Sequence, residues 1–294
     1  EQLAALPALH RLPLDRPRPP QQRFEGARLT TQIDSSTLVS LHALARRHDA
    51  SVFMLLEAAF AVLLSRWSGE HDIVVGTVIA GRLHRDVEPL IGFFVNTLVL
   101  RTDLSGDPDF LAVLAQTRSL ALAAYEHQDV PFEMLVEDLN PARSLAHNPL
   151  FQIAFSMRNN EQPILELPGL AVAPLSKNEA ELAMFDLQLS ATEHDRGMRL
   201  SWLYARHLFD EANIERLSAA YLRLLEGVLA APEAPMSGLS LLGDGDAALI
   251  ARWNDSAQAY DRDATIHEVF QAQAAATPQA SALIFDGVHL SYAE

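Results

Sequence analysis

Cysteine is missing from all 294 residues. That absence excludes disulfides, thiolate metal sites and cysteine nucleophiles together, and it fits a reducing compartment, so a cytoplasmic location is expected. Basic residues are scarce: 22 Lys and Arg stand against 38 Asp and Glu, a formal net charge of −16. A surface of that sign repels phosphate and argues against nucleic acid or an anionic membrane as a partner. No run approaches the ~18 uninterrupted apolar residues of a membrane span. No basic region precedes an apolar one at the N-terminus, so a signal peptide is not expected. What is present, 49% hydrophobic and 20% charged residues, suits a folded chain with a sizeable core.

Several familiar chemistries lack their residues. Eleven histidines include no His-x-x-x-His pair, and Glu70-His71-Asp72 and Glu193-His194-Asp195 are sequential triplets whose side chains diverge, so no metal site is expected. Gly243–Ala248 matches a dinucleotide loop by spelling only. Asp244 and Asp246 would set two carboxylates beside the anion, and no βαβ unit surrounds them, so no bound cofactor is expected. There is neither a Gly-x-Ser-x-Gly elbow nor a phosphate-binding P-loop.

Four prolines in Leu12–Pro20 forbid helix and predict an extended connector. Ala27–Ile33 reads as a strand, followed by a helix capped at Asp34 or Ser35 with Leu38, Leu41, Leu44 and Ala45 inward. Ser51 opens a helix through Trp67 that is apolar around most of its circumference and is expected to be buried, ending at Ser68-Gly69. Asp72–Ala80 and Ile91–Leu100 read as interior strands covered on both faces. Asp107-Pro108 and Val130-Pro131 open helices running to Tyr125 and Leu139. Leu150–Met157, Phe185–Ala191 and Met198–Tyr204 read as strands, and Asp210 caps a long helix. The mixture lacks regular βαβ alternation, so the fold class is mixed α/β, of α+β type, a mixed sheet with flanking helices. After Pro235 the composition shifts. Short helices at Ala247–Trp253 and Ile266–Ala275 and a strand at Ala282–Phe285 suggest a second domain barely begun, and both ends read as cuts in a longer polypeptide.

Three segments carry the most specific patterns. In Ile91–Arg101 the lone amide of Asn96 needs partners, because an unpaired buried amide costs about 1–3 kcal/mol. It either lines a substrate channel or is satisfied by backbone. In Tyr125–Glu133 a polar knot joins two helices: Asp129 is placed to cap the second, while His127 and Gln128 have no such explanation. In Arg143–Gln152, Asn148 before proline is held extended, and the fork of Arg143 suits loop carbonyls or a carboxylate.

Together with Leu12–Pro17, Phe53–Leu56, Asp72–Gly76 and Met184–Leu187, these segments resemble, in order and spacing, the later signature motifs of nonribosomal peptide synthetase condensation domains. Trp253-Asn254-Asp255-Ser256, His267–Phe270, Thr277-Pro278 and Leu290–Glu294 resemble the opening of an adenylation domain. The resemblance implies a chloramphenicol-acetyltransferase-like fold, two lobes in a V around a tunnel. Residues 1–23 would be an inter-lobe connector, 24–235 the C-terminal lobe, 236–248 a linker and 249–294 the start of the adenylation domain.

It further implies peptide-bond formation between aminoacyl or peptidyl thioesters carried on phosphopantetheine arms. The partners would be the N-terminal lobe, donor and acceptor carrier proteins, and an adenylation domain in cis. The family's His-His-x-x-x-Asp-Gly signature does not occur in this sequence, so no catalytic residue is assigned and the chain alone is expected to be inactive. Asn96, His127, Gln128, Asp129, Arg143 and Asn148 are candidates for tunnel wall or structural motif. A noncatalytic carrier-protein docking module is the alternative, distinguished by whether an intact histidine signature lies upstream. A stand-alone acyltransferase fits poorly with the adenylation-like residues 249–294.

Overall fold

The side-chain alternation of period two and the helical period of 3.6 resolve, in the computed structural model, into a seven-stranded sheet with helices packed against it. Residues 2–82, 85–158, 181–259 and 263–294 are described. The chain divides into two units, residues 1–243 and 244–294.

The first unit runs β1 (Glu25–Asp34), α1 (Ser35–Arg47), α2 (Val52–Ser68), β2 (Asp72–Ile79), β3 (Asn96–Asp103), α3 (Phe110–Glu126), α4 (Phe132–Leu139), β4 (Ile153–Arg158), β5 (Glu181–Leu182), β6 (Leu187–His194), β7 (Gly197–Ala205) and α5 (Glu211–Ala230). The strand order is β3-β2-β4-β6-β7-β1-β5. β4 is parallel to both β2 and β6, and the remaining pairs are antiparallel, so the sheet is mixed as expected. The β6–β7 hairpin turns at Gly197, whose φ of +130° few side chains tolerate. A Cβ there would lie 2.1 Å from the Ile33 carbonyl oxygen, so glycine lets the turn close against β1.

Helices α1, α2, α3 and α5 share the main core with Leu187, Leu189, Leu200 and Trp202 of the sheet. Asp34 caps α1 by accepting from the Ser36 and Thr37 amides, and Ser51 caps α2, which stops at Gly69 in the left-handed conformation. At the centre, Phe60 of α2 meets Phe155, Trp202 and Tyr221 at ring distances of 6.0, 6.0 and 6.3 Å. The Tyr221 hydroxyl donates to the Leu56 carbonyl at 2.8 Å, which gives that buried phenol its partner. Glu57, one residue along, is wholly buried, and neither carboxyl oxygen has a well-formed hydrogen bond among the described residues. Burial pushes its carboxyl up to about 7, with the nearby Thr117 hydroxyl offsetting part of the shift.

Three expectations are corrected. Ile91–Leu100 is not a doubly covered strand: β3 starts only at Asn96 and lies at the sheet edge, and Ile91 and Phe93 stand out in solvent. Residues before Asn96 are drawn off register by a braced loop. In it the Arg82 guanidinium sits 4.5 Å over the Phe94 ring and Gly81, at φ +63°, abuts the Phe94 carbonyl. The helix expected from Asp107-Pro108 starts two residues later. Asp109 caps it through the Ala112 amide at 2.8 Å, while Asp107 instead grips the Ser237 amide and hydroxyl at 2.9 and 2.6 Å. Asp210 occupies the N-cap of α5, yet its carboxylate bonds Arg16 rather than the helix amides.

The second unit consists of α6 (Asp244–Asn254), α7 (Ile266–Ala276), β8 (Ser281–Phe285) and β9 (Val288–Ser291). Thr265 and Glu268 form a capping box on α7, and β8 and β9 pair as a hairpin around Asp286-Gly287. Ile266, Phe270, Ile284 and Phe285 are exposed on this small unit.

Candidate functional site

A second, smaller apolar cluster lies at the β3–β2–β4 end of the sheet, formed by Val99, Leu150, Phe151 and Ala154, with Phe132, Leu135, Val136, Leu139 and Phe185 against it. It joins the three specific segments of the sequence. Asn96 links the first to the second: its amide nitrogen donates to the Gln128 and Val130 carbonyls, both at 2.8 Å. Its amide oxygen accepts from the Phe132 amide at 3.1 Å and the Thr97 amide at 2.8 Å. Two donors and two acceptor positions are thereby used, so this side chain has nothing left to offer a substrate. The second and third segments meet where the Phe132 ring packs edge-on to Phe151 at 5.7 Å. The Phe151 ring packs against Gly76, where a Cβ would lie 2.0 Å from a ring carbon.

Asn96 also takes the role expected of Asp129. α4 begins at Phe132 with Pro131 as its N-cap and no side-chain cap from its own segment, while Asp129 points to solvent. Asp129 precedes the helix by too much to reach its second or third amide, and Asn96 already holds the first. Gln128 turns back to donate to the Tyr125 carbonyl at 2.8 Å. His127 closes α3 through its backbone, leaving its imidazole exposed. Asn148 donates to the Met184 carbonyl at 2.6 Å, and its own carbonyl accepts from Gln152 at 3.0 Å. Arg143 is exposed and bonds nothing among the described residues, so the tethering expected of it falls to another arginine.

That residue is Arg18, in the proline-rich connector. It makes a two-pronged ion pair with Asp186, at 3.0 Å through one nitrogen, and also reaches the Ala146 carbonyl. His10 Nε2 approaches the same carboxylate at 2.8 Å. Asp186 is 2% exposed. Burial pushes its carboxyl up, but the hydrogen bonds and charges of His10 and Arg18 outweigh this and hold it below the usual carboxylate range. Gln152 completes the knot, accepting from the His10 amide and donating to the Ala8 carbonyl, each at 3.2 Å. The connector is thus pinned to the heads of β4 and β6. The sequence signal was a carboxylate inside the apolar run Met184–Leu187, which a lone reading did not pair with an arginine far upstream.

Among the described residues no group of histidines, aspartates and glutamates is arranged to hold a metal, and no single helix is long and apolar enough to cross a membrane. The chain therefore has a mixed sheet with one helix-covered face, and three motif segments gathered at one end of it.

Comparison with known proteins places that arrangement. The family model for the condensation domain matches residues 1–251, and the chain belongs to the condensation-domain family. It is 41% identical over 290 residues to tyrocidine synthase 3 of Brevibacillus parabrevis, a match that covers 98% of this chain and 4% of that protein. Surfactin synthase subunit 1 of Bacillus subtilis (strain 168) is 39% identical over 290 residues, covering 98% of this chain and 8% of that protein. The chain thus spans less than a tenth of the length of these relatives. Among solved structures, the X-domain from teicoplanin biosynthesis superposes with a TM-score of 0.75 at 31% identity, covering 82% of this chain and 55% of that one. A four-domain nonribosomal peptide synthetase bound to AMP and glycine superposes with a TM-score of 0.78 at 25% identity, covering 100% and 23%. The chain therefore has the chloramphenicol-acetyltransferase-like fold expected of it.

Proposed function

We propose that this chain is the C-terminal lobe of a peptide-bond-forming condensation domain, with residues 249–294 opening an adenylation domain behind it. Its reaction would join an acceptor amine to a donor thioester, both carried on phosphopantetheine arms of carrier proteins. This lobe would contribute one cleft wall, and the upstream lobe the group that handles the amine proton. The observation that carries the reading is the meeting of residues 91–101, 127–132 and 143–152 around one cluster, the first of these segments carrying the exposed Ile91 and Phe93. Large apolar side chains left bare in this way mark a surface that another part of the protein covers. Coverage of the whole chain, residues 249–294 included, by a synthetase structure supports the adenylation reading.

The test compares the 294-residue chain with one extended upstream through a complete first lobe, both supplied with loaded carrier proteins. Product is expected only from the extended chain. Turnover by the 294 residues alone would overturn the proposal.

A docking role is the second reading, favoured by the likeness to an X-domain solved in complex with OxyB, with a TM-score of 0.75 and 32% identity. An upstream lobe with its histidine signature degraded, and an extended chain that binds carrier protein without forming product, would select it.

A further inference from the structure

Residues 141–147, the front of the third motif segment, have no anchor of their own. Residues 142–145 are exposed, Leu145 by 78%, and none of the seven belongs to either apolar cluster. A bare stretch of this kind, outside any helix or strand, is ordinarily among the most mobile parts of a fold.

Among the described residues, the hydrogen bonds that reach this stretch from elsewhere come from one place, the proline-rich connector. The Gln22 amide donates to the Leu145 carbonyl at 2.7 Å, and the Arg18 guanidinium donates to the Ala146 carbonyl at 3.4 Å. The same two side chains also grip the run that leads into β6. Arg18 forks onto the buried Asp186. Gln22 Nε2 donates to the Met184 carbonyl at 3.1 Å, which also accepts from the Asn148 amide at 2.6 Å. The stretch is thus clamped between the connector and residues 184–186.

The connector serves as a support because it is anchored and stiff. Leu12 is sunk in the main core, Leu3 and Leu6 pack on the smaller cluster, and Asp15 accepts from the Asp210 amide at 2.7 Å. Pro17, Pro19 and Pro20 fix φ on both sides of Arg18, which leaves the path to Gln22 few ways to bend. Arginine is the residue type the clamp needs. Its planar fork lays two nitrogens on one carboxylate and still reaches a carbonyl, whereas a lysine offers a single point of charge.

We propose that Arg18 and Gln22 are positioning residues: the connector, rather than the sheet, sets where residues 141–147 stand. For its bearing on the reaction, the inference rests on the cleft-wall reading above; the clamp itself does not. Neither residue takes part in bond making.

The absence of cysteine makes the position measurable in the 294-residue chain. Nitroxide labels on Leu145→Cys and on Val39→Cys, an exposed side chain of α1, report the distance from the stretch to the helical layer. One narrow distance is expected. It should widen about two-fold in Arg18→Lys, which keeps a charge on Asp186 and loses the fork. Exchange of the Gln22 amide should quicken about 3- to 10-fold, the range for one hydrogen bond, while β6 and β7 keep their rates. Arg18→Leu/Asp186→Leu removes the buried charge together with its partner, so no unpaired carboxylate unfolds the chain, and it should widen the distance likewise. A broad distance in the unsubstituted chain, or an unchanged one in either variant, would overturn the clamp.

The second measurement uses the upstream-extended chain with loaded carrier proteins, at a temperature where both variant and parent stay folded. Arg18→Lys should lower kcat about 10-fold and leave KM in place, because a displaced wall misplaces the bound reactants. No product from the unsubstituted extended chain would defeat the cleft reading and leave the clamp standing on the distances. Equal kcat in the two chains would overturn the positioning role in the reaction.

Discussion

The two faces of one sheet make the sharpest contrast in this molecule. Leu189 and Ser190 are neighbours in the chain, yet one is sealed among helices and the other stands half-buried between Ser156 and Ser201 of the flanking strands. Alternation of period two sends them to opposite sides, and what each side then packs against decides its chemistry. The helix-covered side is continuous and apolar. The other side is apolar at its β3–β2–β4 end, where α4 and Phe151 cover it, and farther across it carries Gln188, Ser190, Ser201 and Thr30 alongside Leu203.

The contrast breaks most severely on the covered side. Phe60→Ala, at the junction of three aromatic rings, should lower stability by about 4 kcal/mol in a urea titration, the range for deleting a fully buried phenyl ring. A loss under about 1 kcal/mol would mean that the aromatic centre is not what holds the helices to the sheet.

The next test asks how dry that side is. The Glu57 carboxyl has an ordinary value of 4.5, and burial pushes it up to about 7 in the fold. Below about pH 4.5 both folded and unfolded chains carry the proton, so the residue adds no pH dependence. Between that point and about pH 7 the unfolded chain has released a proton that the folded chain keeps, and stability falls as pH rises. Above about pH 7 the fall is complete, about 3 kcal/mol in all. Glu57→Gln should abolish this slope, so the stability difference between the two chains should grow from about pH 4.5 to 7 and then level off. A pH-independent difference would show that water reaches the carboxylate.

The smallest expected effect lies at the polar side's covered end. Asn96→Ala strips two carbonyls and the first amide of α4 of their partner, and should cost about 2 kcal/mol. Hydrogen exchange should quicken in α4 while β6 and β7 keep their protection. Uniform loss across the sheet would contradict the local role.

Most elements were legible because they obey one periodicity and carry their own punctuation. Asp34 starts α1, and Ser51 and Gly69 bound α2, where their residue types say they should. Ile91–Val95 deceived because a bare apolar run has the same composition as a covered strand, and only the partner tells them apart. Local spacing favours Asp129 and Arg143, yet capping α4 falls to Asn96 and tethering the loop to Arg18. Those two act across 36 and 168 residues of sequence, a reach that single-chain spacing does not record.

The pairing of β1 with β7 sets a timetable for biosynthesis. Asp34 meets Gly197, so the first strand of the sheet waits for a partner made about 160 residues later. At ribosomal speeds of about 5–20 residues per second, that is about 8 to 30 seconds during which an early edge with Leu29 and Ile33 stays open to the wrong neighbour. Nascent chains arrested before β7 emerges should keep β1 sensitive to protease, and those arrested after it should not.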